Sequence, residues 1–308
     1  MNKILILLVI ALNLGCSNDS IIEDNSELIQ NPNKIDLKVN GLNTTENIVE
    51  ISSFFSCDRD LNVTVTSKKN NVTEDLIVMN LTKDGELKSV YFADKSGNSR
   101  QDYYSPDFIP SSTITISEFE FIDNIKLKFK FSGQVFKKKY NFLEPIETIT
   151  IDGNVEIKKF INNQCNSFVN YMTLNNDIKL SNISRINQNN QPNLIVRYEG
   201  TSLNGYNIIL KNLNQNLMEM SLGTYSFSNN SITEKIEFRK YIGIPKSFST
   251  TTLIPTDWTL YETEGSFTIT EKTTINGFQV VKVKLNFTAS QNGNVLYNIT
   301  NADFITAY

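Results

Sequence analysis

The 308-residue chain predicts an all-β protein: two tandem, duplicated antiparallel domains of about eight strands each, built as β-sandwiches or partly closed β-barrels. Three observations carry that prediction. Segment after segment alternates apolar and polar residues at the strand period. Asn-Gly and Asp-Gly pairs, the strongest short hairpin signals, punctuate those segments. The second half then repeats the order of blocks found in the first.

The clearest strand is "NIKLKFKFSG", where Leu127, Phe129 and Phe131 share one face and Lys126, Lys128 and Lys130 the other. Such a segment is half-buried, hydrophobic inward and polar outward. Its counterpart is "FQVVKVKLNFTAS", in which Val281, Val283, Leu285 and Phe287 alternate with Lys282, Lys284 and Asn286. Ahead of these two stand "SSTITISEFEF" and "EGSFTITEKTT", and after them "ITIDGNVEIKKF" and "NITNADFITAY". Upstream, "LNVTVTSKKNNVTEDLIVMNL" parallels "LIVRYEGTSLNGYNIILKNL", and "GELKSVYF" parallels "MEMSLGTYSF". Blocks recurring in one order, at a spacing of ~130–155 residues, predict an internal duplication. The boundary falls in "FINNQCNSF", giving one copy over 34–161 and a second over 162–308. Turns are expected at Asp84-Gly85, Gly97-Asn98, Asp152-Gly153, Asn204-Gly205, Asn276-Gly277 and Asn292-Gly293.

Composition excludes whole classes of chemistry. The chain has no histidine, so imidazole-activated Ser or Cys nucleophiles, His-ligated zinc and imidazole pH switches are absent. Acid–base work would fall to carboxylates, Lys or Tyr. A net charge of −4 gives no long-range attraction to nucleic acid. No cofactor motif is present. "CDRDLNVT" places Asp58, Asp60 and Asn62 like the start of a calcium loop, but Val63 and Lys69 stand where that loop needs Gly and Glu. No metal site is expected.

Lys3 followed by the unbroken apolar run Ile4 to Leu12 describes an export signal. As a helix the run reaches roughly 14 Å, too short for a bilayer span. The Gly15-Cys16 pair resembles a bacterial lipoprotein signal, and "CSNDSIIEDNSE" is similar to the polar, acidic tether of Bacteroidota lipoproteins. The resemblance implies removal of residues 1–15, lipidation of Cys16, a tether over 16–33, and an outer-membrane address consistent with Ser17. The membrane would then be a partner through the lipid anchor. "DSI" at Asp19 to Ile21 is similar to a glycan-acceptor triplet of exported Bacteroidota proteins. Cys57 and Cys165, one in each half, either pair or stand as two buried thiols. A disulfide there would restrict the unfolded chain by roughly 4–5 kcal/mol.

The order "GSFTIT…VKLNFTAS…YNITNADF" resembles the C-terminal signature of a Bacteroidota lipoprotein family of uncharacterised β-rich domains. Gly265, Phe267 and Ile269 carry its first element, Leu285, Phe287 and Ala289 the second, and Ile299, Thr300, Asn301 and Phe304 the third. All are strand or turn positions. The resemblance implies fold and location, and assigns no catalytic residue.

Candidate binding residues lie in two loops. "IPTDWTLYETEG" holds the only tryptophan, Trp258, beside Asp257, Tyr261, Glu262 and Glu264. "QDYYSPDFIPS" holds Asp102, Tyr103, Tyr104, Asp107 and Phe108. Aromatic faces beside carboxylates suit sugar rings, whereas a lone Trp near a strand is more often a core plug or a lid. Lys137, Lys138 and Lys139 form a basic patch, of the kind that keeps sheet edges unpaired or else meets acidic glycan or lipid headgroups. The expected function is a non-catalytic binding or adhesion module for a glycan or protein. The alternatives are a structural subunit of an outer-membrane complex and a carboxylate-dependent glycoside hydrolase. For the last, Glu262 and Glu264 on one strand face would sit about 7 Å apart, inside the inverting range.

Overall fold

The computed structural model describes residues 32–44, 48–56, 59–69, 72–94, 100–140, 144–159, 161–163, 170–175, 178–190, 193–247 and 255–308. Cys16, Cys57, Cys165, the signal, most of the tether and the Gly97-Asn98 turn lie outside them. The first half supplies strands β1 (Lys34–Val39), β2 (Leu42–Asn43), β3 (Ile48–Ser56), β4 (Asp60–Lys69), β5 (Val72–Thr82), β6 (Leu87–Asp94), β7 (Gln101–Tyr104), β8 (Ile114–Ile122), β9 (Lys126–Lys137), β10 (Thr148–Ile157) and β11 (Ile161–Asn163). The second supplies β12 (Tyr171–Leu174), β13 (Ile178–Asn190), β14 (Asn193–Ser202), β15 (Tyr206–Leu213), β16 (Gly223–Phe227), β17 (Lys235–Tyr241), β18 (Trp258–Ile275), β19 (Phe278–Gln291) and β20 (Asn294–Ala307). The protein is all-β.

The first eleven strands form one sheet in the order β11-β3-β4-β5-β6-β7-β9-β10-β1-β2, with β8 beside β7 along the same edge of β9. Its pairings are antiparallel except for β11, which runs parallel to β3 and sets Asn163 opposite Ser56. That strand carries the first sheet beyond residue 161. In the second sheet, β13-β14-β15-β17-β18-β19-β20-β12 closes back on β13 as an eight-stranded antiparallel barrel. Strand β16 pairs with β18 outside the ring.

The two sheets run through the same circuit. β6 bridges β5 and β7 as β17 bridges β15 and β18. β7 and β8 together follow β9 as the single strand β18 follows β19. β10 returns to β1 as β20 returns to β12. This differs from the sequence parallel in one place: "MEMSLGTYSF" holds β16, while "KIEFRKY" of β17 takes the position that β6 occupies. Alternation marks a strand, but only backbone pairing shows which neighbour it chooses.

Each sheet carries one core, the second inside its closed ring. Leu61, Val63 and Val65 of β4, Met79 and Leu81 of β5, and Leu127, Phe129 and Phe131 of β9 are buried together in the first. Tyr198, Phe238, Phe267, Leu285, Phe287 and Phe304 fill the second. The expected pairs Asn276-Gly277 and Asn292-Gly293 both take positive φ at both residues, the geometry that matches strand twist in a two-residue hairpin. Asp152-Gly153 does not turn. It lies inside β10, where a Cβ on Gly153 would fall 2.5 Å from the Phe131 ring and 2.6 Å from the Asp36 carbonyl, so the glycine serves close packing between strands.

Candidate functional site

Trp258 opens β18 on the outer side of the barrel and belongs to neither core, yet is only 7% exposed. Its cover comes from the first half. The segment between β7 and β8 brings Phe108 to within 4.8 Å of the Trp258 ring and 5.3 Å of Tyr241, which itself lies 5.3 Å from Trp258. Around this triad the Asp107 amide donates to the Lys246 carbonyl at 3.1 Å, and the Lys139 amide to the Ser247 carbonyl at 3.0 Å. Asp257 is ion-paired with Lys246, and its carbonyl accepts from the Ile242 amide at 2.8 Å. The indole N–H of Trp258 has no partner among the described residues. Phe108, Asp257 and Trp258 thus come together as a seam between the two sheets.

The other proposed residues go elsewhere. Tyr261 lies on the opposite face of β18 from Trp258 and packs in the barrel core with Phe238 and Tyr297. The Tyr297 hydroxyl is raised above its ordinary range, first by burial and then by hydrogen bonds to Tyr261 and Tyr206. Glu262 and Glu264 are exposed on the outer side of β18, opposite Ser290 and Thr288. Tyr103 is buried in the first core.

Tyr104 points the other way, and there the structure assembles a site. Register places Tyr91, Tyr104 and Phe136 side by side across β6, β7 and β9 on the outer face of the first sheet. The Tyr91 and Tyr104 ring centroids are 5.2 Å apart. Arg100 lies over the Tyr91 ring at 5.6 Å, and the Lys138 ammonium over the Tyr104 ring at 4.9 Å. Asp102 accepts from the Tyr91 hydroxyl at 2.9 Å and from Arg100 Nε at 2.8 Å. Burial, and then the Asp102 carboxylate, pushes the Tyr91 hydroxyl up to about 12. Those rings therefore stay neutral at physiological pH.

Next to the aromatic row runs a polar one. Asn62 of β4 donates to Asn80 of β5 at 2.8 Å, Asn80 donates to Ser89 of β6 at 2.9 Å, and Thr64 donates to Asn62 at 2.9 Å. Asp60 follows, held by Arg59 at 2.9 Å and Lys88 at 3.0 Å. Sequence reasoning named Asp60, Asn62 and Tyr104 for other reasons and missed that they share this face. The alternation in "LNVTVT" and "LKSVYFAD" sets Asn62 and Tyr91 outward, but their neighbours come from strands paired by register.

Two carboxyls make the fold acid-sensitive. Burial alone would raise Asp60, but hydrogen bonds from Arg59 and Lys88 outweigh it and hold the group below its unfolded value of 3.8. Burial likewise opposes Glu237, and Lys211 and Arg239 overcome it, keeping the carboxyl below 4.5. Both folded values are lowered, so this stability is present above the unfolded values and lost as pH falls through the folded ones. Urea midpoints measured at about pH 5 and about pH 3 are expected to drop, and Asp60→Asn to flatten part of that drop. An unchanged midpoint would remove both pairs as stabilising elements.

No protein-family model, no curated protein and no solved structure matches the chain. What the outer face of β4–β7 offers chemically is a row of uncharged hydrogen-bonding groups, two neutral phenols, two cations seated on aromatic rings, and the carboxylates Asp60 and Asp102 held by neighbouring cations.

Proposed function

We propose that the protein is an outer-membrane lipoprotein of the Bacteroidota type, lipidated at Cys16, whose duplicated β-domains form a non-catalytic binding module for a glycan or protein. The observation that supports the reading is the Tyr91–Tyr104 pair on the outer face of the first sheet, flanked by Arg100 and Lys138. Loops and faces on a rigid β-scaffold are the usual place for recognition, and aromatic and Arg side chains dominate binding energy. Replacing Tyr91 and Tyr104 together by Ala is expected to cut recovery of polysaccharide or protein from envelope extracts by about tenfold. Equal recovery by the variant would reject the site.

Two covalent features belong to the same reading. Acyl-chain labelling is expected to mark the wild-type chain and to fail on Cys16→Ala. Cys57 and Cys165 are proposed to pair. What supports this is the parallel register of β3 and β11, which brings Ser56 and Asn163, each close in sequence to one of the cysteines, opposite one another. Non-reducing peptide mapping is expected to recover Cys57 joined to Cys165, and two free thiols would rule the bond out.

A further inference from the structure

Outward faces elsewhere in the molecule are decorated by cross-strand Lys–carboxylate pairs: Lys126 with Glu120, Lys137 with Glu147, Lys284 with Asp303. Such pairs keep a sheet soluble and contribute little else. The face over β4–β7 confines such pairs to its margins, Asp60 with Lys88 and Asp102 with Arg100. Its middle is the uncharged row Asn62, Asn80 and Ser89, and its end is Tyr91 and Tyr104 with Lys138. We infer that this face takes an acidic polysaccharide, a chain of hydroxyl-rich sugars bearing carboxylate or sulfate groups. The inference rests on the binding-module reading and names the ligand class of that site.

Three features point to this class. Asn62 donates one amide hydrogen to Asn80, and Asn80 donates one to Ser89, so each keeps a second N–H. Each amide oxygen has accepted one bond, from Thr64 or from Asn62, and keeps a second lone pair. A row of paired donors and acceptors, fixed by its own cross-strand bonds, matches sugar hydroxyls, which also donate and accept. The rows of the sheet are spaced by about 7 Å along the strands, so a chain crossing from the amides to the tyrosines meets both without bending. Finally, the Lys138 ammonium rests on the Tyr104 ring with no carboxylate paired to it among the described residues. An acidic group on the sugar supplies the missing anion.

The full chain should be run by affinity electrophoresis through gels containing polygalacturonate, dextran sulfate or unmodified dextran. Retardation is expected in at least one acidic gel and not in dextran, and the two acidic gels separate carboxylate from sulfate. Lys138→Gln is expected to weaken that retardation by about tenfold and Asn80→Ala by about fivefold, with urea midpoints confirming that both variants fold. Equal retardation in dextran would overturn the acidic class while leaving the binding face in place. Retardation that neither substitution changes would put the ligand elsewhere and overturn the inference. No retardation in any gel would overturn the polysaccharide, and extract recovery with the Tyr91 and Tyr104 variant then decides separately whether the face binds anything.

Discussion

Replacing Trp258 by Ala is expected to lower the unfolding free energy by about 3–5 kcal/mol, read as a shift in the urea midpoint. The ring is buried between Phe108 and Tyr241, and truncation leaves a cavity that neither sheet can collapse to fill. Trp258→Phe should behave differently. It keeps most of the ring contacts and removes an indole N–H that has no partner among the described residues, so its cost is expected to stay near 1 kcal/mol. Phe108→Ala attacks the same contact from the first sheet, and the double variant should cost less than the sum of the two. A Trp258→Ala protein with an unchanged midpoint would mean that the seam contributes nothing. The experiment also separates two roles for this residue: a seam residue loses stability, whereas a ligand platform loses retention alone.

Gly265→Ala and Gly133→Ala are each expected to destabilise by about 3 kcal/mol or more. A Cβ on Gly265 would fall 2.2 Å from the Asn286 carbonyl oxygen and 2.5 Å from the Phe287 Cα. On Gly133 it would fall 1.9 Å from the Thr113 carbonyl oxygen and 2.6 Å from the Ile114 Cα. Both obstacles are backbone, so neither can swing aside. The pairs Ile114–Gly133 and Gly265–Phe287 occupy the same place in the two circuits, with the glycine on opposite partners. Sheets bend sharply where a missing side chain lets two strands approach. Gly293→Ala is the control: nothing lies within 4 Å of its Cβ position, and its left-handed φ of 77° alone is expected to cost about 1 kcal/mol. If all three variants unfold alike, steric crowding at the corner is not what the glycines relieve.

Much of the fold was legible because burial in a sheet imposes a two-residue period. Leu127, Phe129 and Phe131 announce an inward face, and Asn276-Gly277 announces a tight hairpin, without knowledge of any partner strand. Pairing across distance was not legible. Asp152-Gly153 has the composition of a turn and lies in a strand, because what selects Gly153 is the Phe131 ring on a neighbouring strand. The candidate site follows the same division. Tyr104 and Phe108 stood out as aromatic loop residues, but their alternation cannot say that one meets Tyr91 in the open and the other meets Trp258 under cover. Asn62 stood out only as part of a failed calcium loop and Asn80 not at all, since an amide on an outward face is unremarkable until its neighbour is another amide.

The second sheet closes into a ring and the first stays open, but both join their earliest strand to one made late. Leu37 of β1 pairs with Gly153 of β10, and Met172 of β12 with Phe304 of β20. During synthesis, therefore, neither sheet gains this pairing until nearly its whole length of chain has been made, and loop-closure entropy opposes the long-range contacts before they can form. Such a topology folds slowly. A chain that stays open through its own synthesis remains threadable until those late strands arrive.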